Sequence, residues 1–558
     1  MHYNLVKASN RRYLEELKNR GHEMKPVYDA VNIMQETEWV INKPIYEVIL
    51  SLINTDSSLG HLPTNPQEIE LPVKPVDIET NKESLVKWKR EASLVYKERA
   101  KSKSKYIQVR QIIEEARLLL DRSFFYPYQL DFRGRIYPKP AMLSPQGADY
   151  SRALIKFKYG KQMKENNSFD DFAIAGAGLY GEVDKEDIQT RLDWVKDRLD
   201  TFIGYAKEPL TNTDWAKADK PFCFLAWCFE LKDFAETDYD ASFITTLPIQ
   251  SDCSNSGLQH YSAMMRDEIG GKATNLIPSN KPEDVYRIVA QKVIMKLRDK
   301  TDPMAKQWLD YGIDRKLCKK PVMCLPYSLT QYSCRQYIQD HVEKEWKEKN
   351  KPHNFGRDLF KATNYLTPIV WESINDVIVG AKEIMGFLKK VSRLVASENL
   401  PVCWTTPKPL NFPVQMMCYK KESKRVKTKM GDSIIKLSIQ SDTDEIDKRK
   451  TAQSICPNLI HSLDASCLML AVIKAKDKGV TNFSLIHDSF GCVAPDVHKL
   501  SEAIREAFCE VYEQDVLTNW AMEMKQMLSE KNAKKFPHIP ERGNLDLSLV
   551  KQSIFFCV

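Results

Sequence analysis

The chain has 558 residues, of which 43% are hydrophobic, 28% charged and 10% aromatic. This composition, with 20 glycines, excludes collagen-like, low-complexity and disordered proteins, and the length suits about three or four domains or one enzyme body with several subdomains. The formal net charge is +7, and residues 81–110 hold ten bases against three acids, so this segment carries the whole surplus. Such a patch indicates an anionic partner, although a solvated helix face explains it equally well.

The basic segment lies within predicted helices near the N-terminus. A proline-rich stretch, Leu62 to Val76, predicts an extended connector. After it, apolar residues at helical spacing predict an amphipathic helix with bases on its other faces: Leu85, Trp88, Ala92 and Val95. A second helix is predicted from Ile107 to Leu120.

Two aspartates lie at the ends of predicted strands. The segment LPIQSD predicts a strand that ends at Asp252, followed by a turn and a helix to Arg266, and NFSLIHDSFGCVAP predicts two short strands around Asp488. Two convergent carboxylates suit Mg²⁺, and a pair of such ions can activate an attacking oxygen and stabilise a leaving oxygen. Spacing alone is equally compatible with acids that merely end strands.

A basic segment between the two aspartates repeats every four residues. Arg315 and Lys319 fall one helical turn apart, a spacing that can grip successive phosphates, and Met323 and Tyr327 continue the same face. Tyr327 could stack on a base or sense a sugar hydroxyl. Without further context, a basic surface helix with a half-buried tyrosine is the favoured interpretation, and His461 in PNLIHSLDAS is by itself more typical of a core histidine.

Residues Tyr419 to Lys450 predict a basic β-hairpin. Six of the ten residues from Lys420 to Lys429 are Lys or Arg, Met430 to Asp432 form a turn, and SIIKLSI continues as a strand. A two-stranded ribbon fits the major groove of DNA.

The thirteen cysteines are scattered from Cys223 to Cys557 without a CxxC pair. This pattern predicts reduced thiols in a reducing compartment. The sequence has neither an apolar run of the roughly 18 residues that a membrane span needs nor an N-terminal signal core. No membrane association is therefore expected.

Five of these segments, in this order, resemble blocks of the single-subunit RNA polymerases of phages and mitochondria: DFRGRIYP, SDCSNSGLQHYSAMMRDE, the Arg315 to Tyr327 block, PNLIHSLDAS and LIHDSFG. The resemblance implies an α+β, mostly helical right-hand polymerase whose small antiparallel palm sheet carries the catalytic aspartates. It also implies the following divisions: a residual N-terminal segment (1–40), thumb (41–121), first part of the palm (122–280), fingers (281–461) with a specificity-loop hairpin (419–450), and second part of the palm with a C-terminal foot (462–558).

The resemblance also implies roles for individual residues. It implies that Asp252 and Asp488 bind two Mg²⁺ ions, with the Cys253 carbonyl as a further ligand, and that Lys319 is catalytic. Substrate-binding residues are expected at Arg315, Tyr327, His461, Lys185 and Tyr286. Nucleic-acid contacts are expected from Arg133 and Arg135, from the thumb residues Lys101, Lys103 and Lys105, and from the hairpin residues Lys424, Arg425, Lys427 and Lys436.

The implied activity is RNA synthesis from ribonucleoside triphosphates on a DNA template, with pyrophosphate release. The alternatives are a family A DNA polymerase or primase-like enzyme, and a catalytically silent nucleic-acid-binding subunit. The cytoplasm of a bacterial host is the expected location, with the mitochondrial matrix as the alternative. Because the polymerase blocks begin close to the N-terminus, promoter opening is expected to be reduced or assisted by a second subunit.

Three residues and the C-terminus depart from the family pattern. The family usually has small residues at Pro321 and Pro326 and glycine at Ser328, and the prolines should kink the helix before Tyr327. The ending FFCV also differs from the usual aromatic-alanine ending.

Overall fold

The computed structural model describes residues 4–8, 10–66, 70–164, 168–349, 351–431, 433–487 and 489–557. Helices predominate, and the strands form small antiparallel sheets of two or three strands, so the expected α+β class is confirmed. The α-helices are α1 (Arg11–Asn19), α2 (Lys25–Gln35), α3 (Lys43–Asn54), α4 (Lys82–Leu119), α5 (Asp149–Ala153), α6 (Ser168–Tyr180), α7 (Ile188–Lys196), α8 (Leu199–Lys207), α9 (Pro221–Ala235), α10 (Ser256–Met265), α11 (Glu268–Ala273), α12 (Val285–Arg298), α13 (Pro303–Tyr311), α14 (Arg315–Cys324), α15 (Gln331–Lys349), α16 (Leu359–Val377), α17 (Val379–Ser397), α18 (Lys448–Asp477), α19 (Val497–Glu513), α20 (Val516–Gln526) and α21 (Glu530–Ala533). The strands are β1 (Glu38–Ile41), β2 (Phe124–Phe125), β3 (Tyr128–Leu130), β4 (Ile136–Pro138), β5 (Ile155–Phe157), β6 (Lys161–Gln162), β7 (Ile244–Thr245), β8 (Ile249–Asp252), β9 (Val402–Thr405), β10 (Pro413–Met416), β11 (Tyr419–Met430), β12 (Ser433–Ile446), β13 (Ser484–Ile486) and β14 (Ser489–Cys492).

The sheet that matters most for the site has three antiparallel strands in the order β13-β14-β8. Ser489 of β14 pairs with Asp252 of β8, and Cys492 pairs with Ile249 at the other end. Both strand predictions are therefore confirmed, and β8 ends at Asp252. The central strand β14 is largely buried, which anchors the exposed end of β8 to the core.

Helix α18 forms the centre of the core and packs against α2, α17 and α19. By length and composition it could cross a membrane, but 89% of its most apolar window is buried inside the protein. An interior helix of a large core explains the same hydropathy.

Helix α4 is one continuous helix of 38 residues, where two helices were expected. The Asn81 side chain caps its N-terminus by accepting hydrogen bonds from the amides of Glu83 and Ser84. Ala92 of the predicted apolar stripe is buried, and Trp88 Nε1 donates to the carbonyl of Pro72 in the preceding connector at 2.7 Å. The described part of that connector up to Pro75 contains neither helix nor strand, as predicted.

Helix α14 contains Pro321 and ends at Cys324, after which Leu325–Tyr327 form a 3₁₀ turn. Pro326 opens that turn, and Ser328 then adopts a left-handed conformation with φ of 65°. Helix α14 thus continues through Pro321 and ends before Pro326, so that Tyr327 lies in the 3₁₀ turn and not on the α-helix. A glycine would adopt the conformation of Ser328 at lower cost.

The predicted hairpin is formed by β11 and β12. Its predicted C-terminal limit at Lys450 is wrong, because the Asp447 side chain accepts hydrogen bonds from the amides of Arg449 and Lys450 and so starts α18. Gly431 in the turn has a φ of 61°, whereas Asp432 lies outside the described residues.

Candidate active site

A cleft of about 1000 Å³ lies at the end of β8. Six residues that the sequence singled out line it together: Lys185, Asp252, Cys253, Tyr286, Arg315 and Lys319. These residues come from four separate parts of the chain. The sequence predicted each of them individually, and the fold brings them together in one cleft.

Asp252 presents its carboxylate at the edge of this cleft. Its side chain is 59% exposed, and its Oδ2 lies 3.7 Å from Nζ of Lys220 at the start of α9. Its strand partner Ser489 directly follows Asp488 in the sequence. Asp488 itself lies outside the described residues, so the pair of carboxylates stays a prediction.

The donor groups at the strand end suit a hard cation. Within the described ranges, no group of three or more His, Cys, Asp or Glu side chains could hold a metal ion. Mg²⁺ does not need such a cage, because it usually takes one or two carboxylates and completes its shell with water and substrate phosphates. The exposed Asp252 carboxylate inside a cationic cleft fits that requirement.

Arg315 is held in place by an acid on the neighbouring helix. Its Nε donates to Oδ2 of Asp284, and its guanidinium lies over the Tyr286 ring at 5.1 Å from the ring centroid. Asp284 also caps α12 by accepting from the Tyr286 amide at 3.0 Å. One buried carboxylate therefore positions both predicted substrate-binding residues, and sequence reasoning missed it although it stands two residues before Tyr286.

Lys319 lies one turn after Arg315, and Met323 follows on the same face, so the predicted four-residue spacing is confirmed as far as Met323. Burial lowers the pKa of Lys319, and the nearby cations of Arg315 and Lys185 lower it further. Lys185 Nζ is 2.8 Å from Oδ2 of Asp184, the preceding residue in the chain. Three cations thus converge on the cleft and make it attractive to a polyphosphate.

Tyr327 and His461 form a second group, with ring centroids 5.1 Å apart. Gly257 of α10 allows the turn to approach closely, because a Cβ at this position would lie 3.0 Å from Pro326 and 3.2 Å from the Tyr327 hydroxyl. Sequence reasoning passed over this glycine, although it stands inside the block that contains Asp252.

Arg133 and Arg135 extend this second group. Arg133 Nη1 lies 2.7 Å from His461 Nδ1, and its Nε donates to Asp131 at 2.9 Å. Arg135 Nε donates to the buried Asp464 at 3.1 Å. Both guanidinium groups, expected to contact nucleic acid, are thus bonded to acids of the same chain, and neither acid was singled out from the sequence.

The C-terminus returns to the cleft through a disulfide between Cys253 and Cys557, which are 304 residues apart. The Ser254 hydroxyl donates to the carbonyl of Phe555 at 3.1 Å, and Gln259 Nε2 donates to that of Phe556 at 3.1 Å. The expectation that all cysteines are reduced is wrong for this pair, because the tail segment pairs with Cys253 and brings the two thiols together. The free cysteines within the described residues number eleven.

The other predicted nucleic-acid residues are exposed on two projecting elements. Lys101, Lys103 and Lys105 lie on α4. On the hairpin, Lys427 pairs with Lys436 and shares a face with Arg425, whereas Lys424 pairs with Ile439 on the opposite face. The ribbon therefore has one mainly basic face and one face that also carries Val426 and Leu437.

A strand-end carboxylate and three cations that line one cleft are typical of enzymes that act on phosphate compounds with a divalent metal. The chain belongs to the DNA-dependent RNA polymerase family, whose model matches residues 162–535. The predicted family resemblance is therefore confirmed.

The curated relatives include phage and organellar proteins. The chain is 34% identical over 577 residues to the DNA-directed RNA polymerase of Enterobacteria phage T3, covering 95% of this chain and 64% of that protein. It is 34% identical over 584 residues to T7 RNA polymerase of Escherichia phage T7, with the same two coverages. It is 33% identical over 549 residues to the chloroplastic/mitochondrial DNA-directed RNA polymerase 2 of Arabidopsis thaliana, covering 96% of this chain and 52% of that protein. The chain thus spans between about half and two thirds of the length of these relatives.

Among solved structures, the chain is similar to the POL domain of Pol1 from M. smegmatis in complex with DNA primer-template and dNTP. The TM-score is 0.41 and the sequence identity 12%, with 90% of this chain and 72% of that chain covered.

Proposed function

We propose that this chain is a DNA-directed RNA polymerase that adds ribonucleoside triphosphates to an RNA 3′-hydroxyl on a DNA template and releases pyrophosphate. The presence of Arg315, Lys319, Lys185 and Asp252 in the lining of one cleft carries this proposal. Membership of the RNA polymerase family supports it.

Each cation of the cleft has a distinct task. Arg315, oriented by Asp284, offers a planar fork to the triphosphate, and Lys185, which also lines the cleft, adds a further positive charge. Lys319 neutralises the charge that develops on the leaving pyrophosphate, and its lowered pKa makes it a better proton donor than an exposed lysine. Tyr286 packs against the Arg315 guanidinium in the lining of the cleft.

Asp252, Asp488 and the Cys253 carbonyl would hold two Mg²⁺ ions, which when bound lower the barrier for attack by the 3′-oxygen and stabilise the leaving oxygen. The residues of the chain do the rest. Asp252 stands at the end of β8, and its carboxylate lies 3.7 Å from the Lys220 ammonium.

The remaining assignments concern the sugar, the nucleic acids and the setting. Tyr327 and His461 face the ribose, Arg133 and Arg135 support the site from beneath, and α4 and the hairpin contact template and product. We assign the thumb, palm and fingers to the limits expected from the sequence, with the hairpin ending at Ile446. The phage relatives are consistent with the cytoplasm of a bacterial host and the organellar relatives with the mitochondrial matrix. An accessory subunit for promoter recognition stays a prediction.

Scaffold extension tests the proposal. Purified protein is incubated with an RNA primer annealed to template DNA, Mg²⁺ and either four rNTPs or four dNTPs. The wild type should extend with rNTPs, Asp252→Asn and Asp488→Asn should each lose this activity, and Asp310→Asn, an exposed acid on α13, should retain it.

Two outcomes would contradict the proposal. Preferential extension with dNTPs would indicate a DNA polymerase instead. Tight, salt-sensitive binding of the scaffold by folded wild type, without extension under any divalent cation, would indicate a catalytically silent binding subunit.

A further inference from the structure

The guanidinium of Arg133 is fixed in orientation before it meets any ligand. Asp131 accepts from the Arg133 amide at 2.8 Å, from Nε at 2.9 Å and from Nη2 at 2.6 Å. Asp131 also accepts from the Arg135 amide at 3.1 Å, which ties the carboxylate to the turn between β3 and β4. This leaves Nη1 pointing at one partner, His461.

The contact with Arg133 determines which nitrogen of His461 carries the proton. Guanidinium nitrogens only donate hydrogen bonds, so Nδ1 of His461, 2.7 Å from Nη1, must accept and must be unprotonated. A neutral imidazole with a bare Nδ1 carries its proton on Nε2. The ring is therefore a donor on the side that faces away from Arg133.

The surroundings of the ring oppose a second proton. Burial lowers the pKa of His461 to about 2, and the cations of Arg135 and Arg133 contribute in the same direction. His461 is thus a neutral donor of fixed geometry at every physiological pH.

Tyr327 connects His461 to the helix that lines the cleft. Its ring centroid is 5.1 Å from that of Tyr327, whose turn directly continues α14. The same helix carries Arg315, Lys319 and Met323, which line the cleft.

We propose that Arg133 is a positioning residue for sugar selection: it fixes His461 as the Nε2–H tautomer, which donates to the 2′-oxygen of a ribonucleotide. A deoxyribonucleotide has no acceptor there, so the contact favours rNTPs only. The inference rests on the proposed polymerase function and assigns to Arg133 a task different from nucleic-acid contact.

The test measures kcat/KM for one rNTP and the matching dNTP on the same scaffold. Loss of one neutral hydrogen bond is worth about a five- to tenfold change, so Arg133→Met should lower the rNTP/dNTP ratio by about that factor. A general loss of template or product binding lowers both values alike and cancels in the ratio. Arg122→Met, an exposed arginine before β2, is the matched control and should leave the ratio unchanged.

Two further variants separate positioning from folding. Arg133→Lys keeps a charged donor beside Asp131 and should restore at least half of the loss. Arg133→Gln keeps a polar side chain but is two bonds too short to reach Nδ1, so it should behave like Arg133→Met. Thermal unfolding shows which of the two uncharged variants, Arg133→Met and Arg133→Gln, is folded. The rNTP/dNTP ratio of kcat/KM is then measured on a folded variant.

A double-mutant cycle shows whether Arg133 acts through His461. His461→Ala should lower the ratio, and adding Arg133→Met should lower it no further. A folded neutral variant with the wild-type ratio, or a further drop in the double variant, would overturn the inference alone. Absence of rNTP extension by the wild type would instead refute the proposed function and the inference with it.

Discussion

Helix α4 presents its lysines to two different sides. Successive residues of an α-helix are rotated by about 100°, so Lys101 and Lys105, four positions apart, share a face, and Lys103 projects from the other side. Four positions after Lys105 lies Val109, which is buried against the body of the protein. A duplex held beside the body should therefore meet Lys101 and Lys105 but not Lys103.

The expected size of the effect follows from counterion release. Each phosphate contact to a duplex contributes about −0.9 to the slope of log K against log salt, so losing two contacts should make the slope about 1.8 less steep. Between about 50 and 200 mM salt, the affinity advantage of the wild type over Lys101→Ala/Lys105→Ala should shrink about tenfold. Lys103→Ala should leave the slope unchanged.

Fluorescence titration of an RNA–DNA scaffold at several salt concentrations measures these slopes. In parallel, the length of products made in one binding event should fall in the double variant, whereas addition of the first nucleotide should be nearly unaffected. If Lys103→Ala changes the slope as much as the double variant does, the assigned orientation of α4 is wrong. If run length and first addition fall together, the helix supports the structure and does not track phosphates.

The hairpin and the disulfide give two further expectations. The Arg425→Ala/Lys427→Ala variant should lose at least several-fold more affinity for duplex DNA than Lys424→Ala, because the register puts Lys424 on the opposite face of the hairpin. A gel-shift titration measures both affinities. Equal losses would contradict a single DNA-facing side of the hairpin. Thiol titration of denatured, unreduced protein should give eleven free thiols, and titration after reduction should give thirteen. The unreduced Cys557→Ser variant should give twelve, because the substitution frees Cys253. Thirteen free thiols in the wild type without reductant would exclude the disulfide.

The sequence predicted those parts of the site that depend on local pattern. A short apolar run that ends in an acid was enough to predict β8 and the position of Asp252 at its end. The four-residue spacing of Arg315 and Lys319 predicted that they share a helix face, since helical geometry fixes this relation without any tertiary information.

Predictions failed where one strong local signal competed with another. The stretch between Val95 and Ile107 lacks an apolar stripe, which suggested a break, yet it contains neither proline nor glycine and α4 continues through it. Asp447 ends the hairpin early because its capping of α18 outweighs the basic pattern that runs on to Lys450.

Long-range pairings were beyond sequence reasoning for a different reason. Asp284 and Arg315 are 31 residues apart, and Asp464 and Arg135 are 329 apart, so neither helix nor strand periodicity relates them. Each basic residue could be recognised as cationic, but the acid that orients it could be any of the 75 in the chain. The same holds for Cys253 and Cys557, since thirteen cysteines allow many pairings.

These pairings matter for function because a cation that binds a substrate must be aimed as well as charged. Arg315 and Arg133 each have one acid that accepts from Nε. Asp131 also accepts from Nη2 of Arg133, so that Nη1 is directed at His461. Replacing Asp284 or Asp131 by asparagine would keep every cation in the site and yet release its orientation. The acids therefore belong to the site as much as the arginines do, because the orientation of a charged group determines how strongly it stabilises the transition state.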